Sequence, residues 1–455
     1  MVSPHCQSWC ASNHSGEHPP WLLLKMEGMI SIKNEGAQIM LDPKTMEIIR
    51  STAPVLKEKG AMITRQFYKR LFSRHPELYN IFNRSNQREG KQPQALADTV
   101  YAAAAHIDRL EEILPVVERI AHKHRALGVR PEHYPIVGEN LLWAIRDVLG
   151  EAATDEVINA WEKAYHAIAG VFIQVEEGMY ETARKQPGGW DGFREFTVDR
   201  KVKESEVITS FYLKPKDGGP LPLFQPGQYI TVRVRIPGDE YTSLRHYTLS
   251  DSPGKDTFRI SVKREDGGEG KPAGVVSTYL HRNIREGDGV ELTAPAGDFT
   301  LKREGTDPII LLSGGVGLTP MISMLTTLAE KQADRDVTYV HAALNGDVHA
   351  MGEYVDALVK DHPRFRSFVC YEQPTERDRS EGRFDKEGFI DGPWLQSILP
   401  DRRGDFYLCG PLPFMKAMYR LLKEWGVEED RIHYEVFGPA RHLDESQQVT
   451  PVAAI

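Results

Sequence analysis

The hydrophobic repeat of this chain changes twice, and these changes limit what it can fold into. From Asp42 to about Lys185, apolar residues recur at the spacing of an amphipathic helix. After the turn-forming stretch "KQPGGW" (Lys185–Trp190), apolar residues recur at every second position, as in "VITSFYLKP". From Asp307 onward, short apolar strands alternate with helical segments. The sequence therefore predicts three unlike domains in series.

Each of the three regions indicates its own fold class. Helices without strands predict an all-α domain, and short strands separated by Gly and Pro turns predict an antiparallel β-barrel or sandwich. Alternating strands and helices predict an α/β domain with a parallel sheet. The predicted bounds are an N-terminal extension at 1–39, the helical domain at 40–186, the β domain at 187–305, the α/β domain at 306–440 and a tail at 441–455.

The bulk composition excludes several classes of function. The chain has 455 residues, too many for one hydrophobic core. Its net charge is -9 and it has no long basic run, so we expect no nucleic-acid binding. Its apolar runs, such as "PIILLS", are too short to span a membrane. Four cysteines in so long a chain indicate a cytoplasmic protein without a disulfide framework.

The first 39 residues are rich in Ser, His, Pro and Gly and show no sustained repeat. We expect this segment to be a disordered extension or a mis-assigned start. The alternative is a metal cluster, because His and Cys side chains are common metal ligands. Its candidate ligands are His5, Cys6, Cys10, His14 and His18.

Two short motifs in the β domain are candidates for binding a phosphorylated, aromatic ligand. In "RHYTLS", Arg245 can pair with a phosphate, Tyr247 can cover a ring face and Thr248 can bond ring nitrogens. In "GVVSTYLH", the small residues Gly274 to Ser277 lead into a helix N-terminus, which favours anions. Taken singly, each motif is also compatible with an ordinary surface strand or turn.

The α/β domain carries a stronger signal. In "PIILLSGGVGLTP", a buried strand runs into Gly314, Gly315 and Gly317, which would let the backbone approach a pyrophosphate. The alternative is a tight structural turn. "FYLCGP" ends a later strand, so both motifs would face the same crevice at the strands' carboxyl ends. There Cys409 is either a polarisable group beside a nicotinamide ring or a plain core residue.

In this order the motifs resemble those of the ferredoxin-reductase-like family. The resemblance covers about residues 190 to 440 and implies FAD on the barrel, NAD(P)H on the α/β domain and hydride transfer between them. The predicted cofactor-binding residues of this half are Tyr229, Arg245, His246, Tyr247, Thr248, Gly274, Val275, Val276, Ser277, Gly314, Gly315, Val316, Gly317, Leu318, Thr319, Cys409, Gly410, Pro411, Glu435, Val436, Phe437, Gly438 and Pro439.

In the helical domain, one histidine and one carboxylate fall on apolar faces. Glu176 lies in the stripe set by Trp161 and Phe172, where a charge needs a partner. His124 shares a face with Val117 and Ile120, whereas His122 points away and His133 is expected to be exposed. Tyr134 could reach the same interior. A buried histidine supported by a carboxylate is typical of a metal ligand, and a His–Glu pair without metal is the alternative.

Tyr68 and Gln92 are polar residues at core-facing positions of the same domain. Each could donate a hydrogen bond to a ligand in an apolar pocket. Each could equally be a core polar residue that is satisfied within the protein.

From Met40 to about Ala440 the chain resembles the flavohaemoglobin family. "IAHKHRALGVRPEHYPIVGENLL", "AWEKAYHAIAGVFI", "SGGVGLTP" and "HYEVFGP" carry the resemblance, which implies a globin domain with haem b. His124 would be the proximal haem ligand, supported by Tyr134 and Glu176. Tyr68 and Gln92 would line the distal side. Lys123 would lie between haem and flavin, with Glu435 and Phe437 against the flavin.

The resemblance implies a nitric oxide dioxygenase whose small-molecule partners are NAD(P)H, O2 and NO. Electrons would pass from NAD(P)H through FAD to haem, and NO would become nitrate. The alternatives are a haem-based gas sensor or oxygen carrier with its own reductase, and a general flavin reductase. No Arg pair follows "YVHAALNGDVHAM", which favours NADH over NADPH. We expect a cytoplasmic monomer.

Overall fold

The structure is a computed structural model that describes residues 41–82, 91–268, 272–302, 304–399, 401–438 and Leu443. The predicted N-terminal extension, its candidate metal cluster and Pro439 lie outside the described residues.

The first domain is all helical, as predicted. Its first helix begins at Pro43, where the fixed φ of proline is compatible with a helix start. Its last helix begins after Thr154, whose hydroxyl accepts a hydrogen bond from the Val157 amide at 3.3 Å. The helices are α1 (Pro43–Arg74), α2 (Lys91–Ala105), α3 (Leu114–Leu127), α4 (His133–Leu149) and α5 (Asp155–Lys185).

The second domain is a six-stranded antiparallel barrel. Its strands are ordered β4-β3-β6-β1-β2-β5, and a bridge from Leu249 to Ile260 links the two outer strands. Inward-facing residues such as Phe196, Val232 and Leu292 fill the barrel. The elements are β1 (Phe193–Lys203), β2 (Ile208–Pro215), β3 (Tyr229–Val234), β4 (Ser243–Thr248), β5 (Phe258–Lys263), α6 (Val275–Arg282) and β6 (Gly289–Thr293).

The third domain is a parallel sheet ordered β10-β9-β8-β7-β11-β12. Its central strand Ile309–Gly314 is fully buried, as expected for a strand covered on both faces. Its elements are β7 (Ile309–Gly314), α7 (Leu318–Lys331), β8 (Val337–Ala343), α8 (Gly352–Lys360), β9 (Phe365–Tyr371), α9 (Glu376–Glu381), β10 (Lys386–Glu387), α10 (Gly392–Ile398), β11 (Asp405–Cys409), α11 (Leu412–Trp425) and β12 (Ile432–Glu435).

None of the helices in the described ranges is both long enough and apolar enough to cross a membrane.

The turns after β7 and β11 approach each other closely. A Cβ atom on Gly317 would lie 2.2 Å from the carbonyl oxygen of Cys409 and 2.6 Å from the amide nitrogen of Gly410. Both neighbours are backbone atoms, which cannot rotate away as a side chain can. Gly317 has an ordinary helical φ of -61°, so contact, and not backbone conformation, requires glycine here.

We expect Gly317→Ala to lower the free energy of unfolding by about 1–3 kcal/mol, because its methyl group overlaps the Cys409 carbonyl. Gly178→Ala is the matched control. Gly178 lies inside α5 with nothing within 4 Å of an added Cβ, so alanine there should stabilise the protein by about 0.5–1 kcal/mol. Urea unfolding measures both. Equal effects of the two substitutions would contradict the steric argument.

Candidate functional site

A buried hydrogen-bonded group joins α3, α4 and α5. Nδ1 of His124 lies 2.5 Å from Oε1 of Glu176, and the Tyr134 hydroxyl donates to the same oxygen at 2.6 Å. His124 and Glu176 are each 2% exposed. Burial, followed by the neighbouring Glu176 charge, raises the pKa of Tyr134, so its hydroxyl remains a donor. The carboxylate is therefore supported from two sides.

The amphipathic spacing of α3 places His124 in this interior. Val117, Ile120 and Ala121 precede it on the same face and are buried. The helix ends at Gly128, which adopts the left-handed conformation with a φ of 78°. Phe172 of α5 covers the imidazole, with ring centroids 5.6 Å apart.

The side of the imidazole that faces away from Glu176 is suited to binding a metal ion. A carboxylate acceptor places the proton on Nδ1, which leaves a lone pair on Nε2. Nε2 is buried and has no hydrogen-bond partner among the described residues. Those residues contain no cluster of three or more His, Cys, Asp or Glu side chains able to hold a metal by themselves. A single histidine suits haem, whose iron needs one axial protein ligand.

The other two histidines of this region have structural surroundings. His122 points to the barrel, where its Nδ1 accepts a hydrogen bond from the Gly297 amide at 3.4 Å. Burial lowers the pKa of His122 to about 4, so it is neutral at pH 7. His133 is half-buried, not exposed as expected, because its Nδ1 accepts a bond from the Arg130 amide at 2.9 Å and caps that turn.

Tyr68 lies in an aromatic layer on α1. Its side chain is 4% exposed, and its ring stacks on Phe72 at 5.8 Å and meets Phe82 edge-on at 5.9 Å. A phenol in such a layer can offer a hydrogen bond in apolar surroundings. Gln92 lies in the first turn of α2, and its side chain is outside the described part of the structure.

A cavity of about 410 Å³ lies where the barrel, the α/β domain and the end of α3 meet. It brings together most of the residues predicted from the motifs of the second half. The predicted residues that line it are Lys123, Tyr229, Arg245, His246, Tyr247, Thr248, Gly274, Val275, Val276, Ser277, Val316, Thr319, Glu435, Val436, Phe437 and Gly438.

The walls of this cavity match the chemistry expected of a flavin site. Strand β4 contributes Arg245 and Tyr247, and Gly274 supplies the N-terminal turn of α6, where an anion is favoured. The Tyr229 hydroxyl and Oε2 of Glu435 are buried and have no hydrogen-bond partner among the described residues. Buried polar atoms of this kind are usually satisfied, so they indicate a polar ligand.

The charged groups of the cavity influence one another. Burial raises the pKa of Glu435 to about 8, while the Lys123 ammonium opposes the shift. Burial likewise lowers the pKa of Lys123, and Glu435 opposes that shift. Cys409 is opposite Glu435 in the parallel register of β11 and β12 and is completely buried. Burial raises the pKa of Cys409, so its thiol is uncharged.

Helix α3 links the buried histidine to the cavity. Lys123 and Leu127 are one turn apart and both line the cavity, whereas His124 is rotated about 100° away into the helical domain. The end of this helix is fixed to the barrel, because the Arg125 guanidinium donates to the Pro295 carbonyl. Ala126 packs beside Tyr229.

Seven predicted residues of the α/β domain do not line the cavity: Gly314, Gly315, Gly317, Leu318, Cys409, Gly410 and Pro411. They lie at the carboxyl ends of β7 and β11, beside the cavity residues Val316 and Thr319. The Phe414 ring lies 3.0 Å from a Cβ built on Gly314 and 2.7 Å from one built on Gly410. This edge is where a parallel sheet binds nucleotides.

Six lining residues were missed from the sequence: Ile81, Leu127, Leu244, Ser261, Lys263 and Glu265. Leu127 could have been found, because it follows Lys123 by one helical turn. Ser261 and Lys263 alternate on β5, but nothing in the sequence indicated which face of that strand meets the cavity. Ile81 is brought in from the helical domain by tertiary packing.

Comparison with known proteins agrees with this arrangement. Family models match residues 65–172 as a globin, 195–301 as an oxidoreductase FAD-binding domain and 311–420 as an oxidoreductase NAD-binding domain. A flavohemoprotein of Halalkalibacterium halodurans is 56% identical, covering 89% of this chain and 99% of that protein. One from Bacillus subtilis is 51% identical, covering 90% of this chain and 100% of that protein.

A solved structure has the same architecture. The crystal structure of a flavohemoglobin from Malassezia yamatoensis with bound FAD and heme has a TM-score of 0.75 and 27% sequence identity. It covers 88% of this chain and 100% of that chain. Together with the bacterial relatives, this shows that the chain belongs to the flavohemoprotein family.

Proposed function

We propose that this protein is a nitric oxide dioxygenase that uses NAD(P)H and O2 to convert NO into nitrate. One observation carries the proposal: α3 directs His124 into the helical domain and Lys123 and Leu127 into the flavin cavity. A helix that carries both a haem ligand and residues of the flavin-cavity wall suits electron transfer between flavin and haem. The same arrangement supports a reductase that serves the globin and not an external acceptor.

When bound, haem supplies one-electron chemistry with O2 and NO, and FAD converts the electron pair of NAD(P)H into single electrons. His124 would hold the haem iron through Nε2. Glu176 accepts a hydrogen bond from Nδ1–H and makes the imidazole a stronger donor, and the Tyr134 hydroxyl donates to the same carboxylate oxygen. Tyr68 and Gln92 would face the opposite side, where the Tyr68 hydroxyl can hydrogen-bond O2.

On the reductase side, Arg245 and the α6 N-terminus at Gly274 to Ser277 would hold the FAD phosphates. Tyr229, Tyr247, Thr248 and the segment Glu435–Gly438 would surround the ring system. The glycines after β7 would let the protein backbone approach the pyrophosphate of NAD(P)H, and the neutral Cys409 thiol would lie beside the nicotinamide. NADH is the favoured donor.

We also propose that the domain bounds are 40–186, 187–305 and 306–440, and that the protein is a cytoplasmic monomer. Cys370 and Cys409 are free thiols, which suits a reducing compartment.

The deciding experiment is an absorption spectrum of the purified protein with NADH under air, followed by addition of NO. We expect haem and flavin bands, and NADH consumption that depends on both O2 and NO with nitrate as product. His124→Ala should remove haem and this turnover but keep NADH-dependent reduction of ferricyanide. NADH consumption that ignores NO would favour a sensor or carrier, and consumption unchanged in His124→Ala would favour a general reductase.

We expect Glu176→Gln to weaken His124 as a ligand of the haem iron. The oxygen of a neutral amide can still accept a hydrogen bond from Nδ1–H, but it lacks the charge that makes the imidazole a stronger donor. The iron–His stretching frequency should fall and the ferric/ferrous potential should rise, as measured by resonance Raman spectroscopy and potentiometry. Glu177→Gln, at the neighbouring exposed position, is the control. A variant that matches the wild type in both quantities would disprove this role of Glu176.

We expect Glu435→Gln to change how stability depends on pH. Because the pKa of Glu435 is about 8 in the folded protein and about 4.3 in an unfolded chain, folding favours the protonated form. Its contribution is complete below about pH 4 and is lost as the pH rises towards 8. Glutamine is neutral at every pH, so the variant does not lose this stability as the pH rises.

Urea unfolding at pH 5 and pH 8 measures the effect. Wild type should lose about 3–4 kcal/mol more than the variant over this range. Glu428→Gln, at an exposed position before β12, should behave like the wild type. Parallel pH profiles of wild type and Glu435→Gln would contradict the prediction.

A further inference from the structure

The chain segment that follows α1 connects the helical domain to the barrel. A short 3-10 helix over Pro76–Asn80 leads directly into Ile81 and Phe82. Its contact on the barrel is Thr242, the residue before β4. Because β4 carries residues of the flavin cavity, this segment of the helical domain is joined to a strand of the flavin site.

Asn80 and Thr242 form two hydrogen bonds across the domain boundary, which we call the Asn80–Thr242 clasp. Oδ1 of Asn80 accepts from the Thr242 amide at 2.9 Å and from the Thr242 hydroxyl at 3.0 Å. Nδ2 of Asn80 donates to the Glu77 carbonyl at 2.9 Å, so its own turn fixes the orientation of the side chain. Thr242 is also fixed, because the next residue, Ser243, pairs with Val234 of β3.

A ring contact lies beside the clasp. The Tyr79 ring meets the Tyr241 ring of the barrel with centroids 5.3 Å apart. Tyr79 also stacks on Phe72 of α1, with centroids 4.3 Å apart and planes 14° apart. The contact with the barrel is therefore passed on to an aromatic side chain inside the helical domain.

The same segment supports the Tyr68 ring. Phe72, which stacks on Tyr79, also stacks on Tyr68 with centroids 5.8 Å apart. Phe82 meets Tyr68 edge-on at 5.9 Å and Phe72 edge-on at 5.4 Å. Tyr68 is 4% exposed, and close-packed rings of this kind move only when their neighbours move. The position of the Tyr68 ring thus depends on the segment that the clasp holds.

The hydroxyl of Tyr68 is sensitive to such a change. A hydrogen bond weakens steeply as its angle departs from the optimum, so a small rotation of the ring is enough to weaken a bond to a ligand. Ile81 of the same segment lines the flavin cavity. One short segment therefore contacts the barrel, the flavin cavity and the ring layer around Tyr68.

We propose that the reductase barrel positions the O2-binding tyrosine of the helical domain, and that Asn80 and Thr242 are the positioning residues. They act on Tyr68 through Tyr79, Phe72 and Phe82 and take no part in electron transfer. The inference rests on the proposed function in one point, the hydrogen bond from Tyr68 to O2.

The first test asks whether the clasp forms in solution. Hydrogen–deuterium exchange of the full-length protein is measured by mass spectrometry on a peptide that contains Thr242. Asn80→Ala should speed exchange of the Thr242 amide about fivefold, the effect of losing one ordinary hydrogen bond. Asn283→Ala, at an exposed position after α6, is the matched control and should leave this exchange unchanged.

The second test measures how fast the ferrous full-length protein releases O2, by stopped-flow mixing with carbon monoxide as competing ligand. Asn80→Ala should raise the O2 dissociation rate about two- to fivefold. Thr242→Val, which removes only the hydroxyl donor, should act in the same direction. Thr242→Ser keeps that donor and should match the wild type, as should Asn283→Ala.

A double-mutant cycle decides whether the clasp acts through Tyr68. Tyr68→Phe should itself speed O2 release, and Asn80→Ala should have no further effect in that background. An equal fold-change in both backgrounds would overturn the proposal, because it would indicate a general loosening of the helical domain. So would unchanged O2 release in Asn80→Ala or in Tyr68→Phe, or unchanged exchange of the Thr242 amide.

Failure of this inference can be distinguished from failure of the proposed function. Hydrogen exchange requires neither haem nor NO, and O2 release requires no NO. A protein without NO-dependent turnover that still shows the effects of the clasp variants refutes the dioxygenase and supports the positioning role. NO-dependent turnover together with O2 release that ignores these variants has the opposite meaning.

Discussion

The buried Glu176 carboxylate is the interaction on which the arrangement of this protein depends. A charge that is 2% exposed is costly unless it is paired, and it receives hydrogen bonds from His124 and Tyr134 on two other helices. These bonds join three helices at one point. They also decide which imidazole nitrogen carries the proton, so the fold and the ligand chemistry of His124 share one cause.

The helix that carries this histidine also contacts the barrel. His124 and Lys123 are adjacent in α3, so an orientation that buries one directs the other towards the barrel. The Arg125 bond to the Pro295 carbonyl holds the same helix end against that barrel. A shift of α3 would change both sites together.

The fold and much of the site could be predicted, because the changes in hydrophobic repeat identified three domains and the apolar stripe of α3 selected His124 over His122. Spacing could not decide between a haem ligand and a buried His–Glu pair; the family resemblance suggested the first. Ile81 reaches the cavity through packing between domains, which leaves no local pattern in sequence. His133 was expected to be exposed, but its imidazole accepts a turn amide, a contact that depends on backbone geometry.

The two halves of the site use burial in opposite ways. Around His124, burial is compensated by short hydrogen bonds, so the group stays in one geometry. Around Glu435, burial is opposed by the Lys123 charge, and the carboxyl is left with a pKa near neutrality. The first arrangement suits a permanent axial ligand. With a pKa of about 8 the Glu435 carboxyl is mostly protonated at pH 7, so it adds little negative charge to the wall of the cavity.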